Sequence, residues 1–265
     1  MGFSADWLAL REPADRAARD ADLLQQAARA AGPAPVILDL GCGTGATMRA
    51  MAPHLPGRVR WHLVDNDPAL LSRAADAAQD AGTTAQVHRL DLDDLDRLPL
   101  ADVTLVTAGA LLDLVPARWV RDLAARLRVP FYAALSYDGE MRWSPEDPGD
   151  AGVGAAFNRH QRGDKGLGPA LGPEAVTAGA AAFAAAGFEV RQARSPWHLG
   201  PASSALQIAL VDGIAAAAEE AGATGAPGWG AMRKAAADRT TCRIGHGDIL
   251  ALPPTVAEET THATD

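Results

Sequence analysis

Cysteine is almost missing: Cys42 and Cys242 are the full complement of a 265-residue chain, too few for a disulfide framework or a four-ligand zinc site. Positive charge is also short, with 24 Lys+Arg against 33 Asp+Glu and a net charge of −9. The pairs Arg58/Arg60 and Arg159/Arg162 make no basic cluster. Nucleic acid is therefore excluded as an expected partner, because its binding rests on phosphate neutralisation. No uninterrupted apolar run approaches the length of a membrane span, so no membrane partner is expected. Residues 1–19 mix acids and arginines with apolar residues and lack the continuous core of a signal peptide, which gives a cytoplasmic expectation. No internal repeat is visible.

What is present is an apolar fraction of 48%, enough for a sizeable core, and one run of unusual information content. Val36-Ile37-Leu38-Asp39-Leu40 reads as a buried parallel strand, and Gly41-Cys42-Gly43-Thr44-Gly45 as a tight turn leading into a helix over 46–54. Without Cβ atoms, such a turn lets a ligand approach the main chain, as in nucleotide-type cofactor sites. Cys42 fits the turn as a small side chain. The looser dinucleotide fingerprint, Gly41-x-Gly43-x-x-Ala46, is met as well.

Along the chain, helical and strand patterns alternate. A helix is expected over 14–31, strands over 36–40, 58–64, 85–90, 103–107 and 131–136, and helices near 68–82 and 111–127. Repeated βα units mean a doubly wound, mostly parallel sheet buried on both faces. A helix over 174–186, a strand over 188–193, a helix over 203–221 and a strand over 241–252 follow. Two long insertions, 137–173 and 195–240, are expected to cap the open edge of the sheet after strands 5 and 6. The expected organisation is a single domain over 1–252 with a flexible tail over 253–265.

The segment Asp39-x-Gly41-x-Gly43-x-Gly45 resembles motif I of the class I S-adenosylmethionine (SAM) dependent methyltransferases. The resemblance covers 36–136 and, more loosely, the last two strands. It implies a seven-stranded α/β sheet with an antiparallel final pair, SAM as cofactor and S-adenosylhomocysteine as product. Asp39, near the strand end, suits a cofactor bearing an ammonium group and would repel a pyrophosphate. Asp65 ends the second strand twenty residues after Gly45, where a carboxylate accepts both ribose hydroxyls. Asp91 ends the third, where the family places an acid or amide for the adenine amino group, with Leu92 as an apolar wall. Asn66, and Ala108 at the fourth strand end, complete the expected contacts with Gly41, Cys42 and Gly43. A nicotinamide enzyme explains Asp65 but gives no reason for Asp91. Arg11 is a candidate for the methionine carboxylate; its alternative is a helix-surface pair with Asp15.

The fourth strand end, Thr107-Ala108-Gly109-Ala110, lacks the Asn/Asp-Pro-Pro-aromatic motif of base-methylating relatives. It also lacks the acid of metal-assisted catechol-type relatives, since Asp113 already lies in the next helix, and no metal is expected. Direct methyl displacement needs alignment, exclusion of water and proton removal, so no strong catalytic motif is required. The glycine-rich stretch 157–169 is the candidate lid. His160 is the candidate general base, and Asn158, Gln161 and Lys165 are candidate substrate contacts. The alternative is a solvated polar loop. Tyr137 and Trp143 are expected as an aromatic wall and Arg142 as a contact to an acidic substrate group. The expected activity is methyl transfer to a small metabolite by a monomer or homodimer. A nicotinamide oxidoreductase and a SAM-binding protein with a regulatory or non-methylating role are the alternatives.

Overall fold

The computed structural model describes residues 3–254. Val36, Leu38 and Leu40 of β1 (Val36–Leu40) turn to one side of a sheet and Ile37 to the other, and all are buried. That alternation sets the strand between two helical layers. β1 pairs in parallel with β2 (Arg60–Asp65) and β4 (Leu105–Gly109), and β2 with β3 (Thr84–Arg89). β5 (Phe131–Ser144) continues beyond β4 in parallel. The late strands are β6 (Glu189–Arg194), β7 (Trp197–Leu199) and β8 (Thr241–Leu252). The order is β3-β2-β1-β4-β5-β8-β6, and β8 runs antiparallel to β5, β6 and β7. The reversal of strand order falls between β1 and β4, where ligands of open α/β sheets bind.

One face is covered by α5 (Ala117–Arg126) and α7 (Ala175–Ala185), through Trp119, Val120, Leu123 and the stacked pair Phe131–Phe183, 4.5 Å apart. The other is covered by α2 (Ala21–Ala30), α3 (Ala46–Met51) and α4 (Pro68–Asp80), through Leu23, Leu24, Met48, Met51, Leu71 and Ala74.

The described residues form an eight-stranded sheet rather than seven strands, because the short β7 adds to the first half of β8. Two further expectations are corrected. The helix expected over 14–31 is two helices, α1 (Ala5–Ala18) and α2, broken at Arg19 and Asp20. Asp20 caps α2, its Oδ1 accepting the Leu23 N–H at 2.8 Å, and its own N–H donates to Asp248 Oδ2 at 3.0 Å. The fifth strand does not stop at Ser136 but runs to Ser144, its far half pairing with β8 up to Thr241. A strand reading that ended where hydrophobicity faded missed this extension, whose pairing partner lies a hundred residues away.

The extended β5, β8 and β7 form a platform beyond the carboxyl end of the parallel strands. Helices α6 (Asp150–Gln161), α8 (Ser204–Glu220) and α9 (Ala226–Ala235) pack with it as a third core. Its centre is Trp143 edge-on to Trp229, 5.1 Å apart. Beside them a buried ion pair joins Arg233 to Asp150, with Nη2–Oδ1 at 2.6 Å, and the Trp229 indole N–H donates to the same oxygen at 2.8 Å. Residues 201–220 are apolar and long enough to cross a membrane by composition; here Leu206, Val211, Ile214 and Ala218 are buried in the cap core.

Arg233→Ala strips a largely buried carboxylate of its cation, so the unfolding free energy should fall by about 3 kcal/mol. Urea unfolding reads this; a loss below about 1 kcal/mol would show that the pair does not hold the cap.

Candidate active site

The turn after β1 departs from ordinary backbone in the way its glycines permit. Gly41, Gly43 and Gly45 have φ of 63°, 53° and 84°. A Cβ on Gly43 would stand 3.0 Å from the Leu8 side chain, a contact at the tight limit. Asp65 holds the turn from β2: its Oδ2 accepts the Gly43 N–H at 2.9 Å and its Oδ1 the Asp67 N–H at 3.0 Å. Arg49 ties the turn to α1, donating to Thr44 O at 2.6 Å and to Glu12 at 2.6 and 2.7 Å. These guanidinium contacts hold the Glu12 carboxyl below its usual pKa.

Above the turn lies a cavity of about 320 Å³. Of the residues expected to bind cofactor, Arg11, Gly41, Cys42, Gly43, Asp65, Asn66, Asp91 and Leu92 line it. Burial pushes the Cys42 thiol pKa far up, which leaves it a neutral space-filling side chain. Asp91 caps its own turn through the Asp93 N–H at 3.1 Å, and Leu92 is fixed by the Trp119 indole N–H, which donates to its carbonyl at 2.6 Å.

Ala108 and Asp39 differ from the expectation. Ala108 is buried within β4, and the neighbouring Gly109 and Ala110 line the cavity instead. Asp39 is fully buried beneath the turn; its Oδ1 accepts the Thr107 hydroxyl at 2.7 Å, while Oδ2 has no partner among the described residues. Burial lifts its pKa to about 7, against the opposing pull of Thr107 and Arg19.

Sequence reading missed Arg19, because it placed that residue inside a continuous helix over 14–31. The break before α2 turns the guanidinium inward. Arg19 is 8% exposed, lines the cavity and donates from Nη2 to Thr47 Oγ1 at 3.3 Å, while Nη1 has no partner among the described residues. The Asp at position 20, a preferred N-cap residue, was the available signal. Arg11, by contrast, is already committed: Nε and Nη2 reach Asp15 at 2.9 and 3.1 Å, and the guanidinium lies 5.0 Å over Trp197.

The cap separates the candidate substrate residues. Lys165, Gly166 and Leu167 line the cavity. The other candidates lie outside its lining, for two reasons. First, the long β5 carries its second half into the cap. Tyr137 is buried there, its hydroxyl donating to Asn158 Oδ1 at 2.8 Å, and Trp143 packs on Trp229. Arg142 stays exposed, paired with Glu140 at 2.9 Å. Second, the stretch expected as a loop over 157–169 is helical up to Gln161, as the end of α6, and this helix turns Asn158 to the Gly139 carbonyl at 3.0 Å. The same helix places His160 between Lys165 and Glu220, and Gln161 at its last turn.

Strain concentrates at the cavity. Ala110 and Leu135, both lining it, have positive φ of 50° and 59°. Such conformations persist only where surroundings impose them, and Asp248 Oδ1 holds the Leu135 N–H at 2.9 Å.

Residues 37–129 match the family described as "Methyltransferase domain". Among solved structures, the YcgJ protein of Bacillus subtilis aligns at 16% identity with a TM-score of 0.52, over 88% of this chain and 97% of that one. The cyclopropane synthase MmaA2 of Mycobacterium tuberculosis aligns at 14% identity with a TM-score of 0.50, over 94% of each. No curated protein sequence matches. At these identities the likenesses establish the fold, which is of class I methyltransferase type.

Asp39 generates a pH test. Its pKa of about 7 in the folded chain exceeds the ordinary value of 3.8, so the folded state binds that proton more tightly. Stability therefore falls as pH rises between about 4 and about 7. Asp39→Asn removes this loss. The Tm of the variant minus that of the wild type should grow by on the order of 4 °C from about pH 5 to about pH 8; a constant difference would contradict the raised pKa.

Proposed function

We propose that this chain, whose residues 37–129 match a methyltransferase domain and whose fold is of class I methyltransferase type, moves a methyl group from SAM to a small metabolite. The observation carrying this reading is one cavity that brings together side-chain-free backbone, the strand-end acids Asp65 and Asp91 and the buried Arg19 guanidinium. Those groups fit the cofactor from end to end. Asp65 accepts from the ribose hydroxyls, and Asp91 with Leu92 holds the adenine edge and face. Asp39 lies beneath the turn, outside the cavity lining, and supports it from below through its hydrogen bond from Thr107. Arg19 and Thr47 hold the carboxylate; Arg11, bound to Asp15, braces that end rather than binding it.

When bound, the cofactor supplies a methyl carbon activated by the neighbouring sulfonium. The protein then needs only to align the nucleophile, exclude water and accept a proton. Leu8, Leu111, Leu114 and Leu135 give the cavity apolar walls, and the loop carrying Lys165 and Leu167 closes the cap side. The net charge of −9 argues for a small acceptor over nucleic acid. We place the reaction in the cytoplasm, in a monomer or homodimer.

Calorimetry tests the cofactor. S-adenosylhomocysteine should bind and NAD(P) should not; the reverse result rejects the proposal. Asp65→Ala should weaken S-adenosylhomocysteine by about 1–3 kcal/mol. Arg19→Met should weaken it by a similar amount yet leave 5′-methylthioadenosine, which lacks the amino-acid end, unaffected. Equal losses for both ligands would move Arg19 away from the carboxylate.

A further inference from the structure

Of 24 basic residues only two are lysines, Lys165 and Lys234, and one of them lines the cavity. The distinction matters chemically. Arginine keeps its proton throughout the working pH range, whereas a lysine amine in a dry setting can give it up. Lys234 is an ordinary surface residue, paired with Asp212 at 2.5 Å. Lys165 instead heads a chain of polar groups. Its Nζ lies 3.2 Å from His160 Nδ1 and 3.2 Å from the His160 carbonyl oxygen, and His160 Nε2 lies 3.0 Å from Glu220 Oε2.

The polarity of this chain follows from what each end can do. A carboxylate only accepts, so the hydrogen-bond network assigns the ring proton to Nε2 and leaves the Nδ1 lone pair facing Lys165. His160 thus occupies two of the positions around Nζ, and the amine keeps one for whatever enters the cavity. The far end is wet, because the Glu220 side chain is 65% exposed. The loop is braced rather than loose: Asp164 Oδ1 accepts the Gly166 and Gly168 N–H groups at 2.7 and 2.9 Å, and Arg118 donates to the Leu167 carbonyl at 2.5 Å.

We propose that Lys165 is the proton acceptor of the methyl-transfer reaction, with His160 and Glu220 as positioning residues that conduct the proton to solvent. The assignment rests on the methyltransferase reading. It replaces His160 as the base, since that ring sits behind the amine and outside the cavity lining. The acceptor class narrows to a hydroxyl, thiol or amine that still carries a proton. As the bond from this nucleophile to the methyl carbon forms, the carbon–sulfur bond breaks and its electron pair remains on sulfur. The nucleophile's proton passes to the Nζ lone pair. It then moves to His160 Nδ1 while the Nε2 proton leaves through Glu220 to water, so one proton is released per turnover.

The electrostatics agree in direction. Burial lowers the Lys165 pKa, opposed by the carboxylates of Glu220, from α8, and of Asp113, from the turn after β4. His160, from α6, is the third titratable group facing the amine.

Competitive acetylation by acetic anhydride over a pH series, read by peptide mass spectrometry, tests this without turnover. With two lysines in the chain, Lys234 is the internal reference. Lys165 should titrate at lower pH than Lys234, and Glu220→Gln should move it lower still by removing an opposing carboxylate. Titration level with Lys234, or no shift in Glu220→Gln, overturns the relay and leaves the cofactor reading intact. Failure of S-adenosylhomocysteine to bind overturns that reading and the relay with it. With an acceptor from a metabolite screen using labelled SAM, Lys165→Met should lower kcat by about 10²–10⁴-fold with S-adenosylhomocysteine binding retained. In His160→Gln the acid limb of the pH–rate profile should move. An unchanged kcat in Lys165→Met also overturns the assignment.

Discussion

The carboxylate of Asp248 is the node on which this architecture turns. It is fully buried on β8 and takes hydrogen bonds from four directions: Ser195 Oγ at 2.5 Å, the Leu135 N–H at 2.9 Å, the Asp20 N–H at 3.0 Å and the Tyr132 hydroxyl at 3.2 Å. The donors come from three separate segments, since Tyr132 and Leu135 share β5. Ser195 lies between β6 and β7, Leu135 marks the register shift in β5, and Asp20 opens α2. A buried charge persists only when its lone pairs are satisfied, so these segments cannot move independently. Even with four donors, burial keeps the Asp248 pKa above the usual carboxylate value.

From that node both walls of the cavity follow. The shift in β5 holds Leu135 in a left-handed conformation at the cavity wall and then directs the strand up into the cap. The break before α2 turns Arg19 inward, and α1 is held across the glycine turn by the Arg49–Glu12 pair. The turn itself is fixed by Asp65, whose carboxylate is already engaged by backbone N–H groups. Donors and acceptors thus stand in place before any ligand arrives, the form of preorganisation that reduces the cost of binding.

Much of the cavity lining was legible because it depends on local chemistry. Gly41, Gly43, Asp65, Asp91 and Leu92 lie at the ends of strands whose hydrophobic runs are explicit, and a strand end in a parallel sheet can face only one rim. The cap was legible as two insertions but not in content. Tyr137 and Trp143 were read as an aromatic wall, Arg142 as a substrate contact and Asn158 and Gln161 as part of a glycine-rich lid, yet long-range pairing with β8 and packing against α9 give most of them structural partners. Arg19 escaped because one capping aspartate outweighed an otherwise continuous helical pattern.

The sequence by itself determined the parallel sheet, the glycine turn and the acids beside it, since these follow from hydrophobic periodicity and from which residues tolerate positive φ. Only the tertiary structure decided which cation faces the cavity, which lysine meets which histidine, and where β5 ends. Those outcomes depend on contacts between residues far apart in the chain, such as Asp20 with Asp248 and His160 with Glu220. No local pattern encodes them, because the partner's position exists only after the chain has closed on itself.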